Sequence, residues 1–130
     1  MKIITDTSII ISVLVNESHK LKIVEKTKHA EIIAPASLHW EIGNAFSAMF
    51  KRNRITIDQA TDALAFYYKI PIRFVDINLE SAIKIASQLD IYAYDAYFIV
   101  CAQQQKASLL TLDKKLAEAS KKMGVTLIEV

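Results

Sequence analysis

The stretch Ile3-Ile4-Thr5-Asp6-Thr7-Ser8 decides the fold of this chain. Its first half, Ile3-Ile4-Thr5, is a β-branched run that is typical of a short buried strand. Its second half, Asp6-Thr7-Ser8, offers N-cap side chains for a helix that extends to about Val15. A strand that leads directly into a helix is the local order expected of an α/β protein.

The same alternation continues along the rest of the chain. Further strands are predicted at Ile32-Ile33, Ile72 to Val75, Leu109 to Leu112 and Thr126 to Ile128. Further helices are predicted from Lys20 to Lys28, Ala36 to Arg52, Thr56 to Tyr68, Asn78 to Leu89, Tyr94 to Gln105 and Lys114 to Lys122. Because parallel strands need helix-length connections, we predict a three-layer α/β/α sandwich around a mainly parallel central sheet.

Composition limits the class of protein. The chain has 130 residues, of which 52% are hydrophobic, and only two Gly and two Pro, which predicts one globular domain over residues 1–130. No apolar stretch reaches the length of a membrane span. A single cysteine cannot form an internal disulfide, and this favours the cytoplasm. The isolated glycines exclude the glycine-rich phosphate loops of most nucleotide-binding enzymes.

Three aspartates lie where predicted strands end or a helix begins. Asp6 follows the first strand, and Asp113 follows the strand from Leu109 to Leu112. In a parallel sheet these two strand ends lie at one edge, where α/β proteins form their ligand sites. Asp95 begins a helix and could project into the same crevice. The alternative for each aspartate is a structural N-cap, which is the commoner role at such positions.

Glu41 is the most informative acid because it interrupts an apolar helix face. It lies within the spacing of Leu38, Ile42 and Ala45, so its carboxylate is predicted to point inward. Burial without a partner raises the pKa of a carboxyl group and is costly. No Lys or Arg occupies the facing positions one turn away. A divalent cation held by oxygen ligands, Mg²⁺ or Mn²⁺, is one partner, and a structural role for Glu41 is the alternative.

Such a metal site would define a reaction. It could activate water for in-line attack on a phosphodiester and stabilise the leaving oxygen. The hydroxyls of Ser8 and Thr111 are close in sequence to Asp6 and Asp113, and they are predicted to orient those carboxylates. The net charge is only +2, but metal-neutralised acids would leave a basic surface that suits a polyanion.

Other candidate residues have structural interpretations. The three histidines lack zinc-ligand spacing, and His39 is predicted on a helix surface. Cys101 is predicted to be a buried, inert thiol. The apolar stripe of the helix from Thr56 to Tyr68 is a candidate dimer surface. Basic residues could follow an RNA backbone or form solvated helix ends, and they are Lys51, Arg52, Arg54, Lys114, Lys115, Lys121 and Lys122.

Four segments in order carry a resemblance to a known family. They are Ile4-Thr5-Asp6-Thr7-Ser8, Ala34-Pro35-Ala36-Ser37-Leu38-His39-Trp40-Glu41-Ile42-Gly43-Asn44, Tyr94-Asp95-Ala96-Tyr97 and Leu110-Thr111-Leu112-Asp113-Lys114-Lys115-Leu116. The chain resembles the PIN-domain ribonucleases over nearly its whole length. Within that family it is similar to the VapC-type toxins of toxin–antitoxin pairs.

The resemblance implies a function and a set of partners. It implies that Asp6, Glu41, Asp95 and Asp113 hold Mg²⁺ or Mn²⁺ and cleave single-stranded or loop regions of RNA. It also implies a homodimer, and a small protein antitoxin that inserts a segment into the cleft. Some relatives carry a further acid four residues after the position of Asp113, where this chain has Ala117, so the number of bound metals stays open.

Two other hypotheses compete with a toxin nuclease. A phospho-acceptor receiver domain would use Asp76 as the acceptor and Asp6 as a metal ligand, but it leaves Glu41 unexplained. An RNA-binding or RNA-processing protein that is not a toxin would use the basic cluster from Lys51 to Arg54. Nucleolytic turnover separates a nuclease from the receiver domain and from a protein that only binds RNA. An RNA-processing enzyme would also cleave RNA, and it differs from a toxin in its substrate and cellular context.

Overall fold

The alternation of strands and helices continues through the whole chain. The structure is a computed structural model that describes residues 1–130. The elements are β1 (Lys2–Thr5), α1 (Thr7–Leu14), α2 (Lys20–Thr27), β2 (Glu31–Pro35), α3 (Leu38–Lys51), α4 (Ile57–Tyr67), β3 (Ile72–Val75), α5 (Leu79–Leu89), α6 (Ala93–Gln105), β4 (Ser108–Leu110) and α7 (Lys114–Lys122). None of the helices combines the length and apolar character needed to cross a membrane.

The four strands form one parallel sheet in the order β3-β2-β1-β4. This confirms the predicted α/β class and parallel sheet. The strand predicted at Thr126 to Ile128 is wrong, because this segment forms only an isolated parallel bridge between Leu109 and Leu127. The segment is joined to β4 only at Leu109, whose N–H donates to the Thr126 carbonyl and whose carbonyl accepts from the Ile128 N–H, so no longer ladder forms.

Neighbouring residues of β1 face opposite sides of the sheet, as the two-residue period of a strand requires. Ile4 belongs to the larger apolar cluster together with Ile33 and Leu109. Ile3 packs on the other side in a smaller cluster, where it meets Ile9 and other buried side chains. Helix α6 contacts β1, β2 and β4, so it covers the centre of one face. The sheet is therefore buried between two layers, as predicted.

Some predicted helix faces are wrong. The sequence predicts an apolar face of Leu21, Val24 and Thr27 for α2, but Leu21 and Val24 are exposed and Ile23 is buried. The face predicted for α5 comprises Ala82, Ile83, Ala86 and Leu89. Ala82 is buried as predicted, but Ile83 is exposed and Ile85 is buried instead. Each of these helices buries only one or two side chains, so the spacing of its apolar residues does not decide which side is buried.

The interior of the protein tests three interpretations and changes two of them. The stripe of α4 packs inside the chain through residues such as Ala63 and Tyr67, so it is not available as a dimer surface. His39 is half-buried and its Nδ1 lies 2.8 Å from the Tyr67 hydroxyl, so its prediction as a surface residue is wrong. Cys101 is buried as predicted, and burial raises the pKa of its thiol to about 12.

Helix α4 begins with the capping box that Thr56 and Gln59 predict. The Gln59 backbone N–H donates to Thr56 Oγ1 at 3.1 Å, and the Thr56 N–H donates to Gln59 Oε1 at 3.0 Å. Two N–H groups at the start of the helix are thereby satisfied.

Removal of this cap should weaken the fold by a measurable amount. We expect Thr56→Ala to lower the free energy of unfolding by about 1 kcal/mol, because an N-terminal N–H loses its acceptor. Urea denaturation followed by circular dichroism measures the change. Thr56→Ser keeps the hydroxyl and is the matched control. Equal stabilities of the alanine and serine variants would contradict the role of the cap.

Candidate active site

The acids lie near the point where the order of the strands in the sheet reverses. From β1 the chain first builds outward to β2 and β3, and later returns to place β4 on the other side of β1. The carboxyl ends of β1 and β4 therefore flank the point at which α/β sheets form their binding crevices. Asp6 directly follows β1, and Thr111 directly follows β4.

Asp6 is a buried carboxylate with three hydrogen-bond donors. It is only 4% exposed. Its Oδ1 accepts from the Ser8 hydroxyl at 2.7 Å and from the Ile9 backbone N–H at 3.2 Å. Its Oδ2 accepts from the Thr111 hydroxyl at 2.5 Å. Asp6 is thus the N-cap of α1 and also the centre of the site, so the two interpretations of this residue are compatible.

Ser8 and Thr111 join the segments that follow β1 and β4. Ser8 Oγ accepts from the Leu112 backbone N–H at 3.0 Å while its hydroxyl donates to Asp6. Thr111 Oγ1 accepts from the Asp113 N–H at 3.0 Å while its hydroxyl donates to the same aspartate. Each hydroxyl oxygen therefore accepts a hydrogen bond from a backbone N–H, and each hydroxyl hydrogen is donated to Asp6.

Glu41 lies in the first turn of α3 and is half-buried. Its Oε1 accepts from the Thr7 hydroxyl at 3.3 Å, and its Oε2 accepts from the Ser37 hydroxyl at 3.1 Å. The sequence analysis missed these two hydroxyl donors. Ser37 could have been found from its spacing, because residues four apart are neighbours on a helix. Thr7 comes from α1 and depends on tertiary structure.

Asp95 and Asp113 differ in burial and in their position in the helix. Asp95 is half-buried in the first turn of α6, whose N-cap is Tyr92, so Asp95 is not the cap. Asp113 is exposed and is the N-cap of α7, where its Oδ1 accepts from the Lys115 and Leu116 backbone N–H groups.

The four acids repel one another electrostatically. Burial is the main cause that raises the pKa of Asp6, Glu41 and Asp95 above their ordinary values, and it brings the pKa of Glu41 to about 7. Charge on Asp6 and Asp95 raises the pKa of Glu41 further, and charge on Asp113 acts on both of those aspartates. The four carboxyl groups are therefore close enough for their charges to interact.

The donor set suits a hard divalent cation. Carboxylate oxygens are the ligands that Mg²⁺ and Mn²⁺ prefer. The three ion pairs of the protein lie on the surface and involve none of these acids, which leaves the carboxylates without a cationic partner in direct contact. No three of the acidic, histidine or cysteine side chains are grouped tightly enough to hold an ion as they stand. A bound metal would therefore need rotation of side chains such as Glu41 and Asp95 toward Asp6.

A cavity of about 450 Å³ opens beside Glu41. Two aromatic side chains and an amide lie beside Glu41 in its wall. The lining residues are Thr7, Trp40, Glu41, Asn44, Ala45 and Tyr94. The cavity gives a substrate access to Glu41.

Asp76 lies away from this cluster. It follows β3, and β2 separates that strand from β1 and Asp6. A receiver domain would need Asp76 as acceptor beside Asp6 as metal ligand. The strand order therefore disfavours the phospho-acceptor hypothesis.

The chain matches the family model described as PIN domain over residues 3–122, and it belongs to this family. It is 25% identical over 123 residues to Ribonuclease VapC3 of Pyrobaculum aerophilum, a match that covers 91% of this chain and 94% of the relative. The family and this relative support a ribonuclease.

Solved structures share the fold. The chain is similar to VapBC2 from Rickettsia felis, which was solved bound to a DNA fragment from the promoter, with a TM-score of 0.71, 14% identity and 98% coverage of each chain. It is also similar to VapC20 of Mycobacterium tuberculosis, described as a toxin that cleaves the sarcin–ricin loop, with a TM-score of 0.66, 13% identity and coverage of 98% and 99%. These two likenesses show that the chain shares its fold with both proteins.

The raised pKa of Glu41 predicts a pH-dependent effect on stability. In chelator, Glu41→Gln should raise the melting temperature at pH 8 relative to the original protein, because it removes a buried negative charge. The pKa of Glu41 is about 7 in the folded protein and has an ordinary value near 4.5 in the unfolded chain. The destabilisation by the buried charge of Glu41 therefore grows as the pH rises from about 4.5 to about 7, and it is absent at lower pH.

The gain should therefore fade at pH 4 to about 5. Differential scanning calorimetry at both pH values measures it. Glu118→Gln, at an exposed position of α7, is the control for loss of one negative charge. A pH-independent effect of Glu41→Gln, or an equal effect of the control, would contradict the interpretation.

Proposed function

We propose that this protein is a metal-dependent endoribonuclease that hydrolyses RNA phosphodiester bonds at the Asp6 site. One observation carries the proposal: a buried Asp6 carboxylate, fixed by Ser8 and Thr111, shares its local field with Glu41 and Asp95 and has no Lys or Arg in contact. Such a cluster is stable at neutral pH when a cation compensates its charge. Membership of the PIN domain family and the VapC3 ribonuclease relative support the same activity.

Each side chain has its own task in this proposal. Mg²⁺, or Mn²⁺ in its place, would be held by Asp6, Glu41, Asp95 and Asp113, and would supply there the activation of water and the stabilisation of the leaving oxygen. Ser8 and Thr111 hold the Asp6 carboxylate in one orientation. The hydroxyls of Thr7 and Ser37 do the same for Glu41. These contacts restrict the carboxylates before substrate binds, so less reorganisation accompanies the reaction.

Two lysines favour a polyanionic substrate. Lys114 and Lys115 occupy the first turn of α7, at the positive end of the helix dipole, where basic residues are unfavourable for the helix itself. Both are exposed, and attraction to Lys115 acts on Asp95. An RNA phosphate that approaches the acids would be attracted by the positive charges of these two side chains.

The nuclease is tested with substitutions that keep side-chain shape. We expect Asp6→Asn and Asp95→Asn to reduce cleavage of mixed structured and unstructured RNAs by at least ~100-fold, because each removes a charge that holds the ion. Excess chelator should abolish cleavage by the original protein, and Mg²⁺ or Mn²⁺ should restore it. Gel mapping of the cut ends measures the activity.

Asp76→Asn is the matched control, because it changes an exposed aspartate at the end of β3, separated from β1 by β2. It should cleave like the original protein. Cleavage that survives Asp6→Asn, or that persists in chelator, would reject a metal site built on Asp6.

We further propose that the protein is the toxin of a toxin–antitoxin pair and that a small antitoxin protein binds it. The similarity to VapBC2 and to a toxin that cleaves the sarcin–ricin loop supports this. An RNA loop that presents unpaired bases is then the substrate class to test first.

A homodimer is also proposed from the resemblance, and the exposed Leu79 and Ile83, one turn apart on α5, are apolar side chains that a second copy could cover.

The toxin proposal predicts a cellular effect that needs the active site. Induced expression of the protein should arrest growth, whereas Asp6→Asn should not, and co-expression of a small protein encoded beside it should restore growth. Growth curves and mapped RNA ends from the arrested cells are the measurements. Active nuclease in vitro without growth arrest would favour an RNA-processing PIN protein instead.

A further inference from the structure

Two exposed aromatic side chains stand at the cavity that contains Glu41. Trp40 is 77% exposed and Tyr94 is 56% exposed, and both line this cavity. Large aromatic side chains usually bury most of their surface in a folded protein. Single exposed aromatics are common, but two beside one candidate catalytic acid indicate a surface that a ligand covers.

Neighbouring rings support both side chains. The Trp40 ring meets the His39 ring at 6.2 Å between centroids with an angle of 60°. His39 is held in turn by Phe74, at 4.1 Å between centroids, and by the Tyr67 hydroxyl. On the other side, the Tyr94 and Tyr97 rings meet edge to face at 5.7 Å and 81°.

This support has a consequence for binding. A ring that is already held in place loses less conformational freedom when a ligand stacks on it, so more of the interaction energy appears as affinity. His39 is half-buried beside Trp40 because it packs against the ring of Tyr67 and contacts its hydroxyl.

The cavity suits one part of an RNA strand. At about 450 Å³ it has room for a nucleobase, and Glu41 in its wall connects it to the acid cluster. Unpaired bases bind proteins by stacking on aromatic rings, and their edges pair with polar side chains. Asn44 is exposed in the same wall and offers both an amide donor and an acceptor.

We propose that Trp40 and Tyr94 form a base-binding subsite that holds an unpaired nucleobase next to the scissile phosphate, with Asn44 contacting the edge of the base. This inference rests on the proposed ribonuclease function, because it places the phosphate at the acids. It makes Trp40 a substrate-binding residue that selects single strands and loops, since bases in a duplex are already stacked and paired.

The chain itself supplies the probe for this subsite. Trp40 is the only tryptophan in the sequence, so the intrinsic tryptophan fluorescence reports on this position alone. The experiment titrates the original protein, in chelator, with a short single-stranded RNA and with an abasic strand of equal length. A parallel titration uses Asp6→Asn in Mg²⁺, so that metal is present while the strand stays intact.

RNA should strongly quench Trp40 in at least one of these titrations, whereas the abasic strand, which offers phosphates without rings, should leave the emission nearly unchanged. Equal quenching by both strands, or quenching by neither in both titrations, would overturn the proposal. Emission that shifts with protein concentration and not with RNA would also overturn it, and would assign the aromatic pair to contact with a second copy.

Kinetics on the active protein provide the second readout. Trp40→Ala should raise KM by about 5- to 100-fold with little change in kcat, because the lost stacking is a binding interaction. Trp40→Phe should restore most of the affinity. Tyr68→Ala, at an exposed tyrosine that does not line the cavity, is the matched control. An unchanged KM in Trp40→Ala would contradict the subsite.

The two readouts separate this proposal from the proposed function. Base-dependent quenching without any cleavage would keep the subsite and reject the nuclease. Metal-dependent cleavage without base-dependent quenching would keep the nuclease and reject the subsite.

Discussion

The structure depends on one constraint, the burial of a charged carboxylate at the end of the central strand β1. Asp6 is taken out of water, so its oxygen atoms need donors. Ser8 and the Ile9 N–H supply them locally, but Thr111 comes from the segment after β4. The aspartate therefore starts helix α1 and also fastens together the two strands that flank the crevice.

The same burial gives the site its electrostatic character. Hydrogen bonds to Asp6 and Glu41 oppose the cost of desolvation without cancelling it, so the pKa of each carboxyl remains raised. Four acids at one sheet edge are unfavourable for stability alone, and a cation would compensate them. Glu41 shares its cavity with the exposed rings of Trp40 and Tyr94, so the proposed phosphate site and the proposed base site would be neighbours.

Much of the fold and the outline of the site could be predicted from the sequence, because both depend on local order. Strand-to-helix alternation predicted the parallel sheet, and parallel strand ends predicted that Asp6 and Asp113 lie at one edge. What depends on tertiary structure could not be predicted. The bridge between Leu109 and Leu127 and the contact of His39 with Tyr67 both join residues that are distant in the sequence. The roles of the four acids stay predictions.

The central claim is that these acids hold a divalent cation. Electron paramagnetic resonance of free Mn²⁺, titrated with the metal-free protein and with Asp6→Asn, tests it most directly, since it counts bound ions without any substrate. The account predicts that the original protein removes the free Mn²⁺ signal, that Mg²⁺ competes, and that Asp6→Asn loses this binding. Equal Mn²⁺ binding by the two proteins, or no binding by either, would contradict it.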